Sequence, residues 1–261
     1  MSVSLSSSLV AFLLISSASA YPQNTLTVAA ASDLTNLEPE LAQAFRKNEP
    51  NRGDEPARLS EAKIRISFVT GASAMLSQQI ENGAPYDVFL SANAQFVDRL
   101  GSSGKLLPAS IRTYAVGRVA ILWRDGKRHP INELGADWVR FVALPNPKLA
   151  PYGVAARQAL EHAGVWNQVQ PKVVYGENVR QTLQLFESGN ADAVVTSDSL
   201  LQGKNPDVLP ADWHQPIVQK VGIVAASPNR AAAQTFVDFL LSPAGQAVFA
   251  QFGFGAPSTK P

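Results

Sequence analysis

The chain has 261 residues, 46% of them hydrophobic, which is enough to bury one large or two medium α/β domains. Lys and Arg number 22 against 21 Asp and Glu, a formal net charge of +1, so bulk electrostatics point to neither nucleic acid nor an acidic membrane surface. With no cysteine, the sequence excludes disulfides, thiolate metal sites, a cysteine nucleophile and lipid attachment to an N-terminal Cys.

Residues 1–20 read as a secretory signal. An apolar core, Leu9 to Ile15, leads through small residues to Ala18-Ser19-Ala20, an A-x-A cleavage site, so the mature chain is expected to start at Tyr21. The apolar run is too short to span a bilayer, and the mature protein is expected to be soluble.

The first strand signal, Leu26 to Ala31, stops at Ser32-Asp33-Leu34-Thr35, where a helix should begin. Apolar residues at 37, 41, 44 and 45, with Pro39 in the first turn, predict that helix. Residues 48–62 are polar, with Pro and Gly, and read as a surface loop inserted within a domain. The same strand-to-helix break recurs at Ile64 to Val69, followed by Thr70-Gly71-Ala72-Ser73 and a helix closed near Gly83.

Another buried strand follows at Tyr86 to Ser91, and alternation continues through Tyr114–Trp123, Phe141–Leu144, Tyr152–Ala163, Val173–Tyr175, Val179–Glu187 and Ala191–Thr196. A strand at Val221–Ala226 and two helical runs, Ala231–Leu241 and Pro243–Phe252, complete the chain, with Ser242 as N-cap and Pro243 at the first helical position. This order predicts α/β architecture with mainly parallel sheets.

Enzymatic readings find little support. His129, His162 and His214 are read as lying far apart without acidic partners at metal-ligand spacing. Gly71-Ala72-Ser73-Ala74 resembles a nucleophile elbow lacking its last Gly, and Ser102-Ser103-Gly104-Lys105 fits S-x-x-K within a Gly-rich loop. No phosphate-binding loop or dinucleotide fingerprint is present. The helix starts carry more. Those at Ser32 and Ser73, with further ones after Asn146–Gly153 and Gly176-Glu177-Asn178, would gather at the carboxyl edge of the strands, where dipole ends and N–H groups hold an oxyanion without charged side chains.

Ala29 to Leu34, Gly71-Ala72-Ser73, Gln79 to Phe89, the Asn146–Gly153 loop, Glu177-Asn178-Val179-Arg180 and Ser242 to Phe254 together resemble the periplasmic molybdate-binding proteins of ABC importers. The resemblance implies a two-lobed type II periplasmic binding protein, with residues 21–112 and 218–261 in one lobe, 113–217 in the other, and hinges near 112–115 and 215–220. It implies a molybdate ligand, and tungstate with it, held by the hydroxyls and amides of Ser32 and Ser73 and by the amides of Tyr152 and Val179. Many relatives place a Tyr after the strand equivalent to 193–196. Here Thr196-Ser197-Asp198 stands instead, leaving Ser197 or the Tyr152 side chain to supply that donor.

By the same resemblance the chain is not an enzyme, needs no cofactor, and acts as a periplasmic monomer that hands its anion to an ABC permease in the inner membrane. Each site residue keeps a plainer reading: Ser32 and Ser73 as N-caps, Tyr152 as a core aromatic, Asp33 as a cap or internal acceptor. The rival functions are binding of another oxyanion, sulfate or phosphate, and a secreted serine hydrolase using Ser73. A donor-only site suits a fully deprotonated dianion, whereas phosphate near neutrality keeps a proton and needs an acceptor, so the direction of Asp33 separates them.

Overall fold

The computed structural model of the chain describes residues 25–48 and 64–257. The expected export segment at 1–20 and nearly all of the 48–62 loop lie outside the described residues.

Two five-stranded sheets organise these residues. The first contains β1 (Thr25–Ala31), β2 (Arg65–Gly71), β3 (Val88–Ser91), β4 (Arg112–Gly117) and β10 (Ile217–Ile223), in the order β2-β1-β3-β10-β4. The second contains β5 (Val119–Trp123), β6 (Val142–Pro145), β7 (Val173–Gly176), β8 (Ala193–Ser197) and β9 (Asp207–Val208), in the order β7-β6-β8-β5-β9. The helices are α1 (Glu38–Asn48), α2 (Ser73–Glu81), α3 (Ala94–Ser102), α4 (Pro151–His162), α5 (Trp166–Val169), α6 (Val179–Glu187), α7 (Arg230–Leu241) and α8 (Pro243–Gln251). Among the described residues no helix is long and apolar enough to cross a membrane.

The α/β class is the one expected, but both sheets are mixed, where mainly parallel ones were expected. β1 pairs in parallel with β2 and β3, and β6 with β7 and β8, whereas β10 runs antiparallel to β3 and β4, and β5 antiparallel to β8 and β9. Strands whose residues are all buried, β3, β5, β6 and β8, read as mainly apolar runs, polar only at the ends of β3 and β8, because both their faces are covered. Under the first sheet, Phe45 of α1 meets Phe236 and Phe239 of α7 edge-on at 5.4 and 5.3 Å. Under the second, Trp123, Leu144, Leu160 and Leu183 belong to a separate core.

The chain passes from the first sheet to the second at Gly117-Arg118, so β4 stays with the first sheet past the 112/113 division, and it returns just before Ile217. These two crossing strands are neighbours. Their register pairs Ala115 with Gln219 and Thr113 with Lys220, skipping Tyr114, a bulge that re-aims the Tyr114 side chain. β10 starts at Ile217, earlier than the expected Val221, because Gln219 is buried as a strand residue despite its polarity. Ser242 caps α8 as expected, its hydroxyl accepting from Gly245 N–H at 3.2 Å.

The histidine reading needs one correction. His129 has acidic partners four residues to either side, Asp125 Oδ2 at 2.9 Å and Glu133 Oε2 at 3.1 Å. Among the described residues, however, no group of three or more His, Cys, Asp or Glu side chains is arranged to hold a metal ion.

Candidate oxyanion site

Ser32, Ser73, Tyr152 and Val179 all line one small cavity between the two sheets, together with Asp33 and Asn178. The residues of one half come from the turn after β1 and the start of α2, and those of the other from the starts of α4 and α6. Each parallel strand delivers its chain to the same edge, which is why four helical starts converge there.

Ser32 and Ser73 are not N-caps. They are the first residues of the 3₁₀ turn Ser32–Leu34 and of α2, while Ala31 and Ala72 hold the cap positions and supply no side-chain acceptor. Ala150 does the same for α4. Alanine at a cap is unfavourable by about 1 kcal/mol relative to Ser or Asp, and using it at three converging starts leaves first-turn N–H groups uncapped. In α4, Pro151 has no N–H, so Tyr152 presents the first amide of the helix. In α6 the Asn178 side chain accepts from Arg180 and Gln181 N–H, both at 3.0 Å, and leaves Val179 N–H outside the cap.

The two hydroxyls differ. Ser73 Oγ accepts from Ala92 N–H at 3.1 Å, which frees its own hydrogen for donation. Ser32 Oγ is buried without a partner among the described residues. Such a group costs about 1–3 kcal/mol unless something else satisfies it.

Asp33 is the carboxylate of this cavity. Its Oδ2 accepts from Tyr152 O–H at 2.8 Å and from Gln219 Nε2, and its backbone carbonyl accepts from Ser199 O–H at 2.6 Å. Oδ1 has no partner among the described residues. Burial raises its pKa from 3.8 to about 6, against the opposing effect of the Tyr152 and Gln219 hydrogen bonds. The Tyr152 and Tyr114 phenols are held well above the usual tyrosine range, first by burial and then by the charge of Asp33.

The Tyr152 side chain therefore turns to Asp33, and its single hydrogen is committed there. Ser197 does not line the cavity. It ends β8 fully buried, its Oγ 2.8 Å from Ser199 Oγ and in hydrogen-bond reach of the Tyr152 phenol. Among the described residues, no histidine lines the cavity beside Ser73.

Sequence reasoning overlooked Gln219 and Tyr114, which join Asp33 through Tyr114 O–H to Gln219 Oε1 at 2.5 Å. The signal was there in one form: Gln219 shares a strand face with apolar Ile217 and Val221, a position where a buried polar group needs a partner.

Comparison with known proteins agrees with this architecture. The family model for bacterial extracellular solute-binding proteins matches residues 26–255. The molybdate-binding protein ModA of Azotobacter vinelandii is 31% identical over 238 residues, covering 87% of this chain and 88% of the relative. ModA of Rhodobacter capsulatus is 31% identical over 195 residues, covering 72% and 77%. The solved periplasmic molybdate-binding protein of Azotobacter vinelandii superposes with a TM-score of 0.77 at 28% identity, over 89% of this chain and 100% of that one. The chain belongs to the family of bacterial extracellular solute-binding proteins.

Proposed function

We propose that this protein captures molybdate, and tungstate with it, in the cavity between its lobes and delivers the anion to an ABC permease. The observation that carries the reading is the convergence of uncapped helical starts and the Ser32 hydroxyl, unpartnered among the described residues, on one small cavity that no described cationic side chain lines. A tetrahedral dianion offers only acceptors, and Ser32 Oγ, Ser73 Oγ and the amides of Tyr152 and Val179 offer donors to it. The names of the ModA relatives support the same choice.

The lobes would divide along the two sheets, 21–112 with 218–261 against 113–217 to within a few residues, and hinge at β4 and β10. Closure would bring Ser32 and Ser73 of one lobe onto the anion held by α4 and α6 of the other. The protein would work in the periplasm as a monomer, without a cofactor and without catalysis. Ser197 supports the Asp33–Tyr152 contact from behind and is left out of the anion shell.

A second reading, hydrogen phosphate, has one observation in its favour: Asp33 Oδ1 is an unpartnered acceptor on a residue lining the cavity. A thermal-shift titration with molybdate, tungstate, sulfate and phosphate decides between the two. A ligand at a thousand times its dissociation constant adds about 4 kcal/mol, so the cognate anion stands out. Molybdate and tungstate alone are expected to raise Tm. A rise with phosphate or sulfate and none with molybdate would move the substrate to that anion.

A further inference from the structure

We infer that the Tyr152 phenol is the latch that holds the closed form shut around its anion, with Asp33 and Gln219 as the positioning residues that receive it. The inference rests on the anion-binding reading and concerns what sets the residence time of the ligand.

Tyr152 meets the two halves of the molecule with different atoms. Its backbone belongs to α4 and presents an N–H at the cavity, while its ring extends into the other half, where the hydroxyl donates to Asp33 Oδ2 at 2.8 Å and accepts from Gln219 Nε2 at 3.2 Å. Gln219 is itself fixed, its Oε1 accepting from Tyr114 O–H. Gly117 makes room for the hydroxyl: a Cβ there would overlap the Tyr152 O–H and crowd its ring carbon.

Three features set this arrangement apart from ordinary packing. All four side chains are fully or almost fully buried, so each hydrogen bond lost would leave a desolvated polar group. Gln219 and Tyr114 lie on the two strands that connect the sheets, at the bulge where pairing skips Tyr114. Asp33 directly follows Ser32, so the acceptor of the latch and a proposed anion donor share one short turn, which Ser199 O–H also grips from the opposite half. Opening the lobes must withdraw the phenol from Asp33. An anion can then leave only after those bonds break, so the latch acts on dissociation more than on encounter.

The test is stopped-flow kinetics of molybdate binding, read by intrinsic tryptophan fluorescence, on the mature wild type, Tyr152→Phe, Asp33→Leu and Asp33→Asn. Loss of a hydrogen bond to a charged acceptor predicts koff faster by about 10- to 100-fold in Tyr152→Phe and Asp33→Leu, with kon within about threefold. Asp33→Asn keeps an oxygen to accept from Tyr152 and should hold koff within about threefold of wild type. A koff in Tyr152→Phe close to wild type, or a loss carried by kon, overturns the latch, as does failure of Asp33→Asn to differ from Asp33→Leu. Should wild type ignore molybdate but bind tungstate, sulfate or phosphate, the molybdate reading fails and the same kinetic comparison on the bound anion still judges the latch. Binding of none of the four overturns both.

Discussion

Replacing Asp33 by Asn gives the sharpest check on the electrostatics of the site, because it removes a buried ionisation while keeping size and one acceptor oxygen. Asp33 titrates near 6 in the folded chain against an ordinary 3.8, burial being the main cause. The folded state thus binds this proton more tightly than the unfolded state does. Stability from this group is fully present below about pH 4, falls as pH rises through about 6, and is flat beyond. At about 1.4 kcal/mol per tenfold difference in proton affinity, the loss amounts to about 3 kcal/mol. Asp33→Asn carries no such term. Urea unfolding of wild type and variant, without anion, from pH 4 to 8 isolates it, since Glu38 and Asp198, whose pKa values burial also raises, cancel in the difference. The stability of wild type relative to Asp33→Asn should drop by about 2 kcal/mol between pH 4 and pH 7. In a thermal scan that corresponds to about 4–8 °C in a chain of this size. A difference independent of pH, or one that grows in favour of wild type as pH rises, would refute the reasoning.

Ser32→Ala should leave the unliganded protein as stable or about 1 kcal/mol more stable, because it deletes a buried hydroxyl without a partner, while Ser32→Ala with Ser73→Ala should weaken molybdate binding by at least about a hundredfold in calorimetry. Undiminished affinity in that double variant would remove both residues from the site. Asn178→Ala loses a cap that accepts from two amides and should cost about 1 kcal/mol, a Tm lower by about 2–4 °C in a thermal scan. Gly153→Ala would drive its Cβ into the carbonyl of Pro145 and the backbone at Pro147, so the start of α4 must shift. We expect about 1–3 kcal/mol of destabilisation by urea unfolding and weaker anion binding, through displacement of the Tyr152 amide.

Much of this structure was legible because its signals are local. The alternating run before Ser32, the helical period of Leu37, Leu41 and Phe45, and Ser242-Pro243 ahead of α8 each declare an element within a few residues. What escaped depends on partners distant in sequence. Gln219 is 186 residues from Asp33 and 105 from Tyr114, and nothing local marks the three as one buried chain. A local detail was missed as well: Ser32 and Ser73 sit one position inside their helical turns, with alanines at the caps, a one-residue boundary finer than sequence pattern resolves. Antiparallel pairing of β10 and β5 was hidden too, because a strand's neighbour is chosen by the crossing between lobes and not by its own residues. His129 is the instructive miss, since its acidic neighbours at four residues on either side were visible in the sequence and were passed over.

The central claim is that one oxyanion sits among Ser32, Ser73 and the starts of α4 and α6. Crystals of the mature protein grown with molybdate, with diffraction collected on either side of the molybdenum absorption edge, locate the metal directly. The account requires one strong anomalous peak in this cavity, with anion oxygens in hydrogen-bond range of Ser32 Oγ, Ser73 Oγ, Tyr152 N–H and Val179 N–H. A peak elsewhere on the molecule, or an oxygen shell that bypasses these donors, would contradict it.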